Sequence, residues 1–542
     1  MENVTSGLST IDYLIFGVYV LVIIVVGLTV SHKNRQSTEG YFLAGKSIPW
    51  WAVGASLIAA NISAEQFIGM SGSGFVIGLG ISAYEWMAAI TLLLVAKYFL
   101  PIFIEKGIYT IPEFVEKRFN RSLKTILAVF WICLYIFVNL SSVLYLGGLA
   151  LETILGVPFT YTVLGLAAFA LIYSVYGGLS AVVWTDVIQV AVLVIGGFAT
   201  TYIAVSFIGG DSGFIHGLNR MFELAPEHFK MVITDRNDPN FDALPGIAVL
   251  IGGMWVANLY YWGFNQYIIQ RTFAAKSVNE AQKGLVFAAF LKLITPFVVV
   301  LPGIAAFVII NKDSSLLAQL GDLANNYMPT LEKADRAYPW VAQFLPIGVK
   351  GVVFAALAAA IVSSLASMLN STATIFTMDI YKEYINKNAS DLTLVNIGRL
   401  TAIISLIIAC CIAPMLGVLD QAFQFIQEYT GMVSPGILAV FVCGLFYKKT
   451  TSLGAIIGVL SSIPVALFLK FMPLSLPFMD QMLYTLLLTI AIIVFVSLSF
   501  NENDDDEKAI VTTANTFKTS GAFAAGSYAV ILIVAVLYAL FW

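Results

Sequence analysis

Apolar residues run along this chain in long stretches separated by short polar joints. Fourteen stretches have about the 20 residues that carry a helix across a bilayer. They lie near 11–30, 50–72, 80–104, 124–150, 158–176, 180–208, 246–270, 284–310, 347–378, 393–413, 418–446, 452–472, 480–499 and 521–541, and are numbered here as spans 1 to 14. One such run would also fit a buried helix; fourteen in series predict an all-α polytopic membrane protein. The first run does not read as a cleaved signal peptide, because no basic region precedes it and no small-residue cleavage site follows. Residues 1–542 are therefore read as a single transmembrane domain. Within it, 11–30 is an extra N-terminal helix, 50–208 and 246–446 are two five-span blocks, and 452–541 holds three C-terminal helices.

Composition sharpens the picture. Of 542 residues, 59% are apolar and only 11% are charged, against roughly 25% in soluble chains. That excludes a disordered protein and does not fit an ordinary soluble enzyme. A net charge of −4 gives no basic footprint, so nucleic acid is not expected as a partner. The four cysteines lie in apolar runs without metal-ligand spacing. The three histidines, His32, His216 and His228, all fall outside the spans, which argues against histidine-based proton relay or metal catalysis. No phosphate-binding loop, dinucleotide fingerprint or nucleophile elbow appears, so no enzyme activity and no organic cofactor are expected.

The basic residues set an orientation. With the N-terminus outside, 18 of the 28 lysines and arginines fall on cytoplasmic joints and 8 on outer ones, with Lys97 and Lys292 inside spans. Six of the outer eight sit on the long loops 209–245 and 311–346, which translocate largely regardless of charge. Both termini are expected on the outer side of the cell (inner) membrane.

Polar interruptions are concentrated. Span 2 reads Ala59-Ala60-Asn61-Ile62-Ser63-Ala64-Glu65-Gln66, and span 7 reads Val256-Ala257-Asn258-Leu259-Tyr260-Tyr261-Trp262-Gly263. Each has Ala-Asn followed by a branched apolar residue, and each opens a five-span block. Blocks of odd length lie in opposite orientations, and matched interruptions point to an inverted-repeat transporter with its site at broken helices.

Six charges lie well inside apolar spans: Glu65, Glu85, Lys97, Asp186, Lys292 and Glu428. Each costs ~3 kcal/mol or more at mid-membrane unless it meets a partner or water. Lys97 is close enough to a span end to snorkel. Glu85 and Lys292 occupy the second helix of each block, where two readings compete: a polar ligand cavity, or a structural ion pair joining the halves. Asn61, Gln66, Asn258 and Gln427 add amides that both donate and accept, suited to a ligand rich in hydroxyls. Tyr84, Tyr135, Tyr261, Trp262 and Phe423 offer faces for a sugar ring, although for any one of them alone core packing is the favoured reading. In span 9, Ser363, Ser364 and Ser367 fit close helix packing and also fit coordination of a hard cation.

Tyr41-Phe42-Leu43-Ala44-Gly45-Lys46 with Pro49-Trp50-Trp51, Thr110-Ile111-Pro112-Glu113-Phe114 with Arg118-Phe119, and Tyr176-Gly177-Gly178-Leu179-Ser180-Ala181-Val182 with Thr185-Asp186-Val187-Ile188-Gln189 resemble the sodium:solute symporters. The likeness covers nearly the whole chain and is strongest to the bacterial sodium/galactose branch, relatives of the animal sodium/glucose cotransporters. It implies a LeuT-type inverted five-helix repeat with two discontinuous helices. It implies sodium-coupled import of galactose or glucose, with sodium as coupling ion and the lipid bilayer as surroundings. Gln66, Glu85, Asn258, Lys292 and Gln427 would hold the sugar, Tyr261 would stack on it as inner gate, and Met70, Tyr84 and Phe423 would close the outer side. Sodium would be held by the carbonyls of Ala59, Ile62 and Ala360 and the hydroxyls of Ser363 and Ser364. Asp186 would lie on the sodium exit path. Ala88 stands where the family's galactose site has a serine, so one hydrogen bond to the hexose is missing. Some relatives build a second sodium site from the span-6 aspartate and further span-9 serines; Asp186 and Ser367 remain here but Ala366 interrupts the set, so one sodium per sugar is expected. The same fold carrying proline or a sialic acid is the nearer alternative, although Glu85 beside Lys292 disfavours a carboxylate. A transporter-like sensor or channel is the more distant one.

Overall fold

The computed structural model describes residues 7–31, 37–108, 110–325, 327–418, 422–472, 476–500, 508–510 and 512–542, without the side chains of 173–177, 322, 323, 418, 422 and 425. His32, Lys33, Arg35 and the side chain of Tyr176 therefore lie outside the described residues. The described chain is helical, with no strand; one isolated bridge pairs Ile48 with Ala275. Among these residues eleven helices are long and apolar enough to cross a membrane. Spans 2, 5 and 7 are not in that set. Span 5 is helical from Phe159 up to the kink at Gly178, with only Phe159–Ile172 described in full, and spans 2 and 7 are broken.

Span 2 begins as the helix Trp50–Asn61, with Pro49 ahead of it and the Trp50 N–H given to Glu280 Oε2 at 2.9 Å. It stops at Ile62, whose ψ of 89° leaves the helical region, and resumes as a wide π-type turn, Glu65–Met70, followed by Ser71–Val76. The break in span 7 differs from expectation. The Ala257-Asn258-Leu259 run stays helical within Gly253–Phe264, and Asn258 Nδ2 satisfies itself on Met254 O one turn back at 3.1 Å. The interruption comes at Asn265 (φ −83°, ψ 116°), after which Gln266–Phe273 continues. Spans 5 and 6 are joined through Gly178 at φ 57°, a conformation open to glycine; a Cβ there would also lie 2.5 Å from Tyr41 O.

Span 9, Val349–Ile375, is buried along its length at the centre, whereas spans 1 and 14 lie at the periphery. Span 2 rests on span 8, Val278–Asn311, through small residues. A Cβ on Gly54 would lie 2.5 Å from Gly284 O, and one on Gly303 2.0 Å from Ser71 O. Such contacts let backbones approach closely in a medium that supplies no hydrophobic drive between helices. They fix both halves of the broken helix against span 8, which carries Lys292.

Candidate functional site

The break in span 2 redirects its own hydrogen bonds. In an unbroken helix the N–H of Ser63, Glu65 and Gln66 would close on the carbonyls of Ala59, Asn61 and Ile62. Here Ser63 N–H goes to Gln66 Oε1 at 2.9 Å, Glu65 N–H to Ser63 Oγ at 3.0 Å, and Gln66 N–H to Ser63 O at 3.2 Å. Ser63 Oγ also donates to Gln66 Oε1 at 3.1 Å. Gln66 thus caps the lower half of the break and releases the Ala59 and Ile62 carbonyls from their helical partners. Span 9 faces this point: Ser364 Oγ donates to Ala60 O at 2.9 Å. That bond sets Ser364 beside the break in span 2, whereas the neighbouring Ser363 Oγ donates to Asp186 Oδ1 at 2.5 Å.

One turn further, a cavity of about 60 Å³ is lined by every residue expected at the sugar site and gates: Gln66, Met70, Tyr84, Glu85, Asn258, Tyr261, Lys292, Phe423 and Gln427. By this measure it has room for about four waters. Lys292 Nζ donates to Glu85 Oε2 and to Asn61 Oδ1, so the pair from the two blocks is in direct contact. Lys292 Nζ also lies 5.2 Å from the centre of the Trp262 ring. Asn61 Nδ2 donates to Tyr261 Oη at 2.9 Å, and Tyr261 Oη shares a 2.5 Å hydrogen bond with Tyr267 Oη. Tyr135 Oη donates to Asn265 Oδ1 at 2.5 Å, anchoring the second break beneath them. On the opposite wall Tyr84 and Phe423 meet edge to face at 5.3 Å (84°), both buried with Met70.

Asp186 stands apart from the cavity, fully buried. Its Oδ2 accepts from Ser56 Oγ at 2.5 Å and from Arg271 Nη2 at 3.3 Å, and its Oδ1 from Ser363 Oγ at 2.5 Å. Arg271 also donates to Ser367 Oγ and to the Tyr267 carbonyl. Arg271, counted among the cytoplasmic surface charges, is therefore a buried partner that sequence reasoning missed. It follows span 7 by one residue, where snorkelling is the default expectation.

Other lining residues carried weak signals. Thr430 and Ser434 line the cavity one and two turns beyond Gln427, a spacing that puts all three on one helix face. Glu65 lines it too, buried, with Oε1 bonded to nothing among the described residues. Glu428 points elsewhere and pairs with Lys470 at 2.8 Å. No cluster of three or more histidine, cysteine or acidic groups occurs among the described residues.

The description of the sodium:solute symporter family matches residues 41–461 of this chain. The chain belongs to the sodium:solute symporter family. This symporter is 71% identical over 545 residues to the sodium/glucose cotransporter of Vibrio parahaemolyticus, covering 100% of both chains. It is 33% identical over 478 residues to human sodium/myo-inositol cotransporter 2, covering 85% of this chain and 70% of that one. Its fold is shared with a sodium-coupled sialic acid symporter solved in a substrate-bound outward-open state. The TM-score is 0.78 at 24% identity, covering 91% of this chain and 98% of that one. The symporter is accordingly a multi-pass membrane carrier and not an enzyme, with sodium as its coupling ion.

Proposed function

We propose that this symporter imports a hexose, galactose or glucose, with one sodium ion by alternating access. The observation that carries the reading is the convergence in one cavity of three amides, Gln66, Asn258 and Gln427, with the Glu85–Lys292 pair and aromatic walls. A sugar presents many hydroxyls that both donate and accept, and this set answers both without a net charge to demand a carboxylate. The resemblance to a sodium/glucose cotransporter over the whole chain supports the same substrate class. With the side chains as they stand, Lys292–Asn61 and Asn61–Tyr261 contacts fill the space a sugar needs, so sugar hydroxyls would take over those bonds.

Sodium, as cargo, would be held by the Ala59, Ile62 and Ala360 carbonyls and the Ser363 and Ser364 hydroxyls. Holding both spans 2 and 9, it would order the break that positions Asn61 and Gln66, and so couple ion to sugar. Release toward a negative interior supplies ~2.3 kcal/mol per charge per 100 mV. The reading of one ion per sugar rests on Ala366 in span 9 and is supported by Arg271, which pairs with Asp186 at 3.3 Å; Asp186 itself would act only on the exit path. In this reading 50–208 and 246–446 are inverted repeats that rock against each other, with Tyr261 as inner gate and Met70, Tyr84 and Phe423 as outer gate.

The test is radiolabelled galactose and glucose uptake into proteoliposomes with and without an inward sodium gradient, in wild type, Ser364→Ala and Gln427→Ala. Sodium-dependent uptake is expected in wild type, with a higher sodium requirement in Ser364→Ala and loss of uptake in Gln427→Ala; uptake indifferent to sodium would overturn the reading. Competition by myo-inositol, proline and sialic acid in the same assay separates hexose from the other solutes.

A further inference from the structure

A second cavity, of about 370 Å³, lies between spans 2, 8 and 14, away from the sugar chamber. Trp50, Val286, Phe287, Phe290 and Phe523 make its walls, and Lys283 is the charged residue among its lining. Trp50 and Phe287 meet edge to face at 5.7 Å (86°). Span 14 is drawn onto span 8 at Gly526, where a Cβ would lie 2.6 Å from Val286 Cγ1. Such walls offer a sugar almost nothing to bond and offer hydrocarbon a continuous surface.

The rim has a sign. Lys283 is one-third exposed, and its partner Glu280 is shared. One Glu280 oxygen accepts the Trp50 N–H at 2.9 Å, and the other lies 3.5 Å from Lys283 Nζ. The Ile48–Ala275 bridge brings the exposed Lys276 to the same surface beside Trp50, and the exposed Lys518 closely precedes span 14. Half-exposed Trp50 is the type of side chain that settles at a headgroup boundary. An apolar slot opening under a basic rim at a membrane boundary matches one chemistry.

We propose that this groove binds an anionic glycerophospholipid, with an acyl chain between spans 8 and 14 and the phosphate at Lys283. The lipid would brace span 8 six residues before Lys292, the cation of the sugar chamber.

Native mass spectrometry of the purified full-length protein, offered equal phosphatidylglycerol and phosphatidylcholine, tests this. Retention of phosphatidylglycerol about fivefold over phosphatidylcholine is expected from one added lysine–headgroup attraction. Lys283→Glu should bring the ratio to about one. Ala522→Phe, which fills the groove from its exposed edge, should lower retention of both lipids. Equal retention by wild type, an unchanged ratio in Lys283→Glu, or a dimer mass in place of lipid adducts would overturn the proposal. Sodium-dependent sugar uptake by each variant shows that it is folded, and the wild-type ratio decides where a variant is not.

Discussion

At the level of single residues, the Glu85–Lys292 pair joins two helices that are 207 positions apart in sequence. Both groups are buried, so removing one strands the other without a counter-charge, a loss of ~3–5 kcal/mol. Lys292→Met is expected to lower unfolding stability by about 3 kcal/mol, and Glu85→Gln by a similar amount. The double variant should lose much less than the sum, since neither charge is then left alone. Thermal unfolding in detergent across this four-protein cycle checks it, and additive losses would show that the two side chains do not act as a pair. These residues were legible because a charge in an apolar run has few harmless explanations. Thr430 and Ser434 were not, because hydroxyls on membrane helices usually bond their own backbone and leave no mark in the pattern. Arg271 was obscured by its place at a span end, where a long basic side chain normally reaches the surface.

Among the elements, the broken span 2 does the most, and its capping makes a sharp expectation. Gln66 holds the break through its amide oxygen, and Ser364 ties span 9 to the freed turn. Ser364→Ala should raise the sodium concentration for half-maximal uptake about tenfold, the effect of losing roughly 1.4 kcal/mol of one ligand or bond. Gln66→Leu should impair both sodium and sugar dependence, because it loosens the turn and removes a lining amide; a change in sugar dependence alone would deny its capping role. The first break was legible from four polar side chains in mid-span. The second was not: Asn265 carries no proline or glycine signal, and the matching Ala-Asn sequence lies two turns earlier, where Asn258 remains helical. Another element contact responds to pH. His228, on the 209–245 loop, stacks on Phe307 at 3.7 Å and bonds Phe75 O at 3.1 Å, with Glu227 at 3.7 Å and Lys312 held by Glu227 at 2.8 Å. Burial lowers its pKa below the ordinary 6.5, and the Phe75 and Glu227 contacts only partly offset this. The unfolded chain therefore takes up the proton first as pH falls through 6.5, and folded stability drops. Between about pH 7.5 and about pH 5.5 the melting temperature of wild type should fall more than that of His228→Gln. Equal falls would place the pH response elsewhere.

For the molecule as a whole, the question is which face is which, and the packing shows which segments share a face. The basic joints meet on one face. Arg118 donates to the carbonyls of Gly444, Lys448 and Thr450, Arg121 pairs with Glu383, and Lys508 Nζ donates to Phe119 O at 3.0 Å. Both described ends of the chain lie on the other. Asp12 Oδ1 accepts from Gly348 N and Gly351 N at 2.8 Å, and Phe541 O accepts from Met231 N at 2.7 Å on the long 209–245 loop. The packing also shows which basic residues are spent on structure rather than on topology. Among the described residues Arg118, Lys124 and Arg271 on the cytoplasmic joints and Lys350 on the outer ones are buried, and setting them aside leaves thirteen described basic residues against seven. The bias survives, so the face holding the ends is expected to be the outer one. Alkaline phosphatase fused after Trp542 should be active and a green fluorescent protein fused there dark. The reverse pair of signals would turn the carrier over in the membrane, and with it the assignment of Tyr261 as the inner gate and of Tyr84 and Phe423 as the outer one.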